Sequence, residues 1–179
     1  FLSENSDFAR ACDAAGITFI GPPSEAIELM GSKRLSKIAM IEAGVPCIPG
    51  YEGSDQSDDR LVQEAERIGY PLMVKASAGG GGRGMRLVWT SRDLIASIHT
   101  ARSEARSAFG SDELILERAL IEPRHVEIQV FADAHGNVVH FGGRDCSIQR
   151  RHQKVVEEAP SPFVTPEMRQ AMGEAAVNA

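Results

Sequence analysis

The hydrophobic positions of this chain change period several times, and each change predicts a new element. Phe8, Ala11, Cys12 and Ala15 follow helical spacing, which predicts a helix over 7–15 with Ser6 as cap and Gly16 as stop. Ile17 to Ile20 form a short apolar run ended by Gly21-Pro22-Pro23, which predicts a strand. Helices are expected over 24–30 and, capped by Ser32, over 33–43, where Gly44 and Pro46 end the pattern. Ser57 can cap a helix over 58–68 that turns Leu61, Ala65 and Ile68 inward. Strands are expected at 71–76 and 85–90. A longer helix follows from Ser91 to about Phe109, with Leu94, Ile95, Ile98 and Ala101 on its apolar face. Leu114 to Glu117 read as a strand. His125 to Val130 alternate strictly between apolar and polar, the mark of a half-buried strand, and Val138 to Phe141 can pair with it across the turn 133–137. Thr165-Pro166 opens a last helix with Thr as cap and Pro at the first position.

The mixture is α/β (α+β). Residues 1–46 read as the tail of an α/β unit plus a helical connector. Residues 47–118 read as a compact α+β module, and 119–179 as the start of a further one. The chain begins at Phe1 and stops inside a helical pattern, so both ends are expected to be cuts through a longer protein.

Composition narrows the class. With 42% hydrophobic and 25% charged residues the chain is of globular type. A net charge of −6 argues against bulk nucleic-acid binding. Cys12, Cys47 and Cys146 are odd in number and lack metal-site spacing, which points to reduced thiols in a cytosol-like compartment. No apolar run reaches membrane-spanning length, and no signal-peptide pattern is visible.

The run Ser77 to Arg86, rich in glycine, lies between two expected strands. Glycines let backbone N–H groups approach a ligand with no Cβ in the way, and a row of N–H groups suits phosphate oxygens. Lys75 just before the run and Arg83 within it add cationic charge. A flap over a nucleoside triphosphate is the sharper reading; a flexible linker is the plainer one. The run is not a Walker A loop, because no Gly-Lys-Ser/Thr follows and the next element is a strand. Glu117-Arg118-Ala119-Leu120 leave a strand and cross into the next module, where backbone groups can pair with an adenine edge or serve only as a hinge.

The densest chemistry lies in Arg144 to Lys154. Arg144, Arg150, Arg151 and Lys154 against Asp145 leave a local charge of +3 in an acidic chain, which suggests an anionic ligand. On an extended strand His152 and Lys154 share a face, so Lys154 can hold a small oxyanion and His152 a phosphate. The alternative is a solvated basic turn neutralised by Glu157-Glu158. RNA binding is disfavoured, since no aromatic residues interleave the cluster. Cys146 has no partner for a nucleophilic pair and is read as structural.

Three stretches together resemble biotin carboxylase, the ATP-grasp component of biotin-dependent carboxylases: Lys75-Ala76-Ser77 with the glycine run, Pro123-Arg124-His125-Val126-Glu127-Ile128-Gln129-Val130, and the string from Arg144 through Lys154 to Pro160. The resemblance covers essentially the whole chain. Leu116 to Leu120 and Phe131 to Asp133 look closer to acyl-CoA carboxylase α-subunits of the methylcrotonyl- or geranyl-CoA type. It implies an ATP-grasp fold fragment: the end of the N-terminal domain over 1–46, the complete lid over 47–118, and the beginning of the C-terminal subdomain over 119–179. It implies a ligase that phosphorylates bicarbonate with ATP to carboxyphosphate and passes the carbon dioxide to biotin on a carrier domain. By similarity, Lys33 and Lys75 contact ATP phosphates, with Gly81 and Gly82 as the loop's phosphate contacts. Glu117, Arg118, Ala119 and Leu120 line the adenine site, and His125 and His152 contact the nucleotide. Lys154 binds bicarbonate, with Gln149 at the bicarbonate/biotin site. The resemblance further implies a carboxyltransferase partner, an oligomeric parent and a cytoplasmic or mitochondrial-matrix location. The family's Mg2+ or Mn2+ ligands, and a catalytic glutamate and arginine, are expected beyond position 179. The chain by itself is therefore expected to be inactive. Two departures stand out: Arg118 replaces a usual Lys, and Gly143 replaces a usual Glu beside the basic cluster. Other readings are a carbamoyl-phosphate synthetase, against which the Arg-Arg-His-Gln-Lys string speaks, and a non-catalytic nucleotide-binding module.

Overall fold

The computed structural model describes residues 1–80, 82–150 and 153–179. Those residues form two compact units: one holds Phe1–Ile38 with Pro49–Arg118, the other Ala39–Ile48 with Ala119–Ala179.

The first unit opens with α1 (Ser6–Ala14), α2 (Ser24–Gly31) and the start of α3 (Lys33–Glu42). The cap of α1 is Asn5, not the expected Ser6; its side chain accepts the Phe8 N–H at 2.8 Å. The apolar stripe expected on α1 is mostly exposed, and the buried residue of the helix is Ala9, which lies outside that stripe. The reason is that α1 packs chiefly on α2, a single neighbour that covers a narrow strip. The strand expected at 17–20 does not form among the described residues. Strand backbone is stabilised by pairing, and Ile20 stands 96% exposed with no described strand beside it.

Next come β1 (Gly50–Tyr51), α4 (Asp58–Ile68), β2 (Leu72–Ala76), β3 (Met85–Val88), α5 (Leu94–Phe109) and β4 (Leu114–Arg118). The strands make an antiparallel sheet in the order β1-β4-β2-β3. Leu72, Val74, Leu114 and Leu116 project from one face of that sheet. They pack on Leu61 and Ala65 of α4 and on Leu94, Ile98 and Ala101 of α5. Ser57 caps α4 as expected, accepting the Arg60 N–H at 3.3 Å. In α5 the buried stripe is Leu94, Ile98, Ala101 and Ala105, while the expected Ile95 faces out at 39% exposure. One residue of helix rotation carries Ile95 off the stripe. Ser91 begins a short 3-10 turn rather than the helix itself. The other face of the sheet carries Met73, Lys75 and Glu117.

The second unit contains β5 (Val126–Ala132), β6 (Val138–Arg150), β7 (Gln153–Glu158) and α6 (Pro166–Asn178). The strands pair antiparallel in the order β5-β6-β7, with β-bulges in both ladders. The hairpin expected from alternation forms, but β6 runs far past Phe141 into the basic string as far as Arg150. Thr165 caps α6 by accepting the Met168 N–H at 3.2 Å. No helix among the described residues is long and apolar enough to cross a membrane.

Candidate active-site residues and family

In the first unit, Ser77 pins the point where β2 becomes the glycine loop. It is 2% exposed, its carbonyl accepts the Lys33 N–H at 2.9 Å, and its N–H donates to the Glu113 carbonyl at 2.9 Å. Its hydroxyl accepts the Arg34 N–H at 3.3 Å, and Arg34 Nε donates to Glu113 Oε1 at 2.7 Å. These bonds fasten the first turn of α3 to the base of the loop. The Lys33 ammonium then donates to the Gly79 carbonyl, so one expected phosphate contact already sits on the loop.

Glycine is needed along the loop because Gly79, Gly82 and Gly84 have φ of 78°, 77° and 67°. At Gly84 a Cβ would also lie 2.7 Å from the Ala76 Cβ, where the Gly84 carbonyl accepts the Ala76 N–H at 2.9 Å. The expected contact Gly82 lies in this loop; Gly81 lies outside the described residues.

Lys75 and Glu117 are diagonal neighbours across the β2–β4 ladder, and their side chains are ion-paired. The second oxygen of Glu117 accepts from Lys37 at 3.0 Å. Burial alone would push the Glu117 carboxyl up; Lys75 and Lys37 outweigh it and hold the group below its ordinary range. The Lys33 ammonium is lowered, first by burial and then by Lys75, with Glu117 opposing. Of the expected adenine-lining residues, Glu117 thus turns its carboxylate to lysines. Arg118 Nη1 donates to the Ile68 carbonyl at 3.0 Å, Ala119 is buried, and Leu120 is 57% exposed.

In the second unit the basic string is folded onto acids. Glu127 stands opposite Arg144 in register and accepts from its Nε at 3.0 Å, and Lys154 reaches the other carboxylate oxygen. Glu157 completes a square, 3.6 Å from Arg144 Nε and 3.8 Å from Lys154 Nζ. The neutralising acids are therefore Glu127 and Glu157, not the expected Glu157-Glu158 pair. Hydrogen bonding from Lys154, opposed in part by burial and helped by Arg144, brings the Glu127 carboxyl down to about 2. The Lys154 ammonium is raised in turn by Glu127. Burial, then the Glu127 charge, pushes the Cys146 thiol up, in keeping with an unreactive side chain. Glu127, Cys146 and Glu157 lie close enough to share an ion. The donor set does not suit Mg2+, which takes oxygen ligands, because one donor is a thiol and both carboxylates are held by cations.

The expected nucleotide contact His125 and the expected bicarbonate/biotin residue Gln149 are brought together, with Gln149 Nε2 at 2.7 Å from His125 Nδ1. Gln149 Nε2 also donates to the Cys146 carbonyl at 2.8 Å, and the His125 N–H donates to Ser147 Oγ at 2.9 Å. Behind them Asp145 accepts from Ser147 Oγ at 2.6 Å, Ser161 Oγ at 3.0 Å and Arg124 Nη1 at 3.3 Å. Those partners, Ser147 foremost, bring Asp145 to about 2. At Gly143 a Cβ would lie 3.1 Å from Ile128 Cδ1 and 3.2 Å from the Glu127 carbonyl, so the bare residue suits this tight register. His152 and Arg151 lie outside the described residues.

Ser77, Glu113, Lys37 and Glu127 were not singled out from sequence. Glu127 had a signal, as a polar position on an alternating strand. Lys37 had one too, four residues after Lys33 and hence on the same side of α3.

Glu127 and Asp145 set a pH expectation. Their folded values of about 2 lie below ordinary values of 4.5 and 3.8. Their contribution to stability is thus complete above the ordinary values and is lost as pH falls through them toward about 2. The melting temperature of the full-length protein should fall across that window, and Glu127→Gln should lower it at neutral pH while flattening the fall. Parallel acid titrations of the two proteins followed by circular dichroism check this.

A glycine loop between antiparallel strands with lysines at its base, together with the helices and antiparallel sheets of the two units, belongs to the ATP-grasp fold class. The family model for the carbamoyl-phosphate synthase L chain, ATP binding domain, matches residues 32–179, and that for the biotin carboxylase N-terminal domain matches residues 1–27. The chain belongs to this ATP-binding family and, within it, to the biotin carboxylases. It is 58% identical to the mitochondrial methylcrotonoyl-CoA carboxylase subunit alpha of Dictyostelium discoideum over all of its own length. It spans only 26% of the length of that relative. The biotin carboxylase domain dimer of Hydrogenobacter thermophilus 2-oxoglutarate carboxylase, in complex with MgADP, ADP and bicarbonate, matches with a TM-score of 0.94 at 50% identity, covering 99% of this chain and 39% of that one. The biotin carboxylase–β-γ-ATP complex from Campylobacter jejuni matches with a TM-score of 0.95 at 46% identity, covering 99% and 40%.

Proposed function

We propose that the full-length protein containing this chain is an ATP-dependent biotin carboxylase, which activates bicarbonate as carboxyphosphate and carboxylates biotin on a carrier domain. The observation that carries the reading is the Lys33–Gly79 and Lys75–Glu117 arrangement at the base of the glycine loop. It places two ammonium groups and a row of glycine backbone beside one another, the donor set that anionic phosphates need. Structures of related proteins bound to MgADP, bicarbonate or a β-γ-ATP ligand support the same assignment.

In this reading residues 1–46 end the N-terminal domain, 47–118 form the lid, and 119–179 open the C-terminal half. The glycine backbone, including Gly81 and Gly82, with Lys33 and Lys75 holds the phosphates. Glu117 to Leu120, His125 and His152 complete the nucleotide site. Lys154 holds bicarbonate, and Gln149 faces bicarbonate and biotin. A bicarbonate oxygen attacks the γ-phosphorus as the bond to ADP breaks; carboxyphosphate then splits into carbon dioxide and phosphate, and biotin N1′ bonds the carbon dioxide as its proton passes to that phosphate. Holding the oxyanion in place turns a bimolecular step into a local one. A divalent metal would offset phosphate charge during that transfer; Glu127, Cys146 and Glu157 are not its ligands. The partners are a biotin carrier domain and a carboxyltransferase, the parent is oligomeric, and the compartment is the cytoplasm or the mitochondrial matrix. An acyl-CoA carboxylase α-subunit of the methylcrotonoyl type fits the relatives from Dictyostelium discoideum and Mus musculus, which are 58% and 54% identical to the chain.

The test is ADP release by the full-length protein from ATP with and without bicarbonate and free biotin. Turnover that requires both is expected. ATP binding without such turnover would instead establish a non-catalytic nucleotide-binding module.

A further inference from the structure

Lys37 is buried at 8% exposure, yet no step above uses it. A lysine is rarely buried unless it is paired. Its ammonium donates to Glu117 Oε1 at 3.0 Å and lies 3.9 Å from Glu52 Oε2, a buried oxygen with no hydrogen-bond partner among the described residues. Room for it depends on Gly50, where a Cβ would stand 2.5 Å from Lys37 Nζ. Glu117 is therefore shared: one oxygen takes Lys37, the other takes Lys75.

We propose that Lys37 is a positioning residue for nucleotide binding, a fixed counter-ion that keeps Glu117 paired when Lys75 leaves it for phosphate. The inference rests on the nucleotide-site reading of Lys75. The physical reason lies in the cost of stranding a buried charge. If Lys75 were the sole partner of Glu117, its departure would leave an unpaired carboxylate at 12% side-chain exposure. Glu117 would then compete with phosphate for the Lys75 ammonium. With Lys37 in place, one buried pair survives and Lys75 is free to bind. Lys75 is the more exposed of the two lysines, at 22% against 8% for their side chains, as this division of labour requires. The charged groups facing Glu117 are Lys33 and Lys37 from α3 and Lys75 from β2, with Glu52 beyond Lys37.

The experiment is calorimetric titration of a non-hydrolysable ATP analogue into the full-length protein and its variants. Lys37→Met should weaken binding about tenfold. Lys37→Met combined with Glu117→Gln removes the competing carboxylate, leaves intact the 117–120 backbone through which the adenine edge is read, and should restore affinity to within about threefold of wild type. The single variant should also gain a pH signature. With one cation fewer its Glu117 carboxyl rises, so the ratio of variant to wild-type affinity should climb toward one as pH falls. Unchanged affinity in the folded single variant, or a double variant as weak as the single, overturns the proposal. If the single variant does not fold, the double variant decides: affinity within about threefold supports the proposal and a loss of about tenfold overturns it. A wild-type protein that binds no ATP analogue would remove the nucleotide-site reading itself, an outcome distinct from failure of Lys37 alone.

Discussion

Replacing Lys154 by Met in the full-length protein is expected to lower bicarbonate-dependent ATP turnover by about 10²–10³-fold, the scale set by removing one group that stabilises a developing oxyanion. The fold should survive. Lys154 is half-exposed, and its bonds to Glu127 and Glu157 belong to a square in which Arg144 still holds both acids. Pairs of that exposure are worth about 0–1 kcal/mol. A loss of turnover with a nearly unchanged melting temperature would fit a binding role for Lys154. A drop in both to the same degree would reduce Lys154 to a structural clamp on Glu127. Steady-state kinetics and thermal melting of the same preparation separate the two outcomes.

The largest stability effect is expected at Leu116→Ala. Leu116 is fully buried on β4, opposite Val74 on β2 and Tyr51 on β1, in the cluster that α4 and α5 cover. Truncation there should cost about 2–5 kcal/mol, from lost burial plus the cavity left behind. Leu87→Ala is the control: Leu87 is 43% exposed on β3 and should cost less than about 0.5 kcal/mol. Denaturant unfolding with limited proteolysis of the full-length proteins should show the first unit opening early in Leu116→Ala alone. Because Glu117 follows Leu116 directly, the same variant should weaken ATP binding as well. Equal stability of the two variants would remove β4 from the centre of the core.

Much of the fold was legible because local rules and the final contacts agree. Ser57 and Thr165 cap the helices they announce, and the alternation of 125–130 becomes a strand paired as expected. The failures occur where burial depends on a neighbour. The apolar run 17–20 has the composition of a strand and no described partner. The stripe of α1 is right in period and wrong in rotation, and that of α5 is right except at Ile95, because periodicity does not say which neighbour will cover the helix. In the candidate site, the glycine run and Lys75 were visible because strand–glycine–strand is a local signal. Lys37 and Glu127 carried a positional signal but not their role, because that role comes from groups 80 and 27 residues away in sequence.

By itself the sequence determined the α/β class, the glycine loop between two strands and the cations Lys75 and Arg83 beside it, since these follow from residue type and spacing. Its motif strings also carried the family resemblance. Tertiary structure alone decided how the charges are divided. It set Lys75 and Lys37 on the two oxygens of one buried glutamate, folded Arg144 and Lys154 onto Glu127 and Glu157, and locked His125 to Gln149. The physical reason is that a charge is defined by what stands within a few ångströms of it. Strand register and helix packing, not the order of residues along the chain, choose those neighbours.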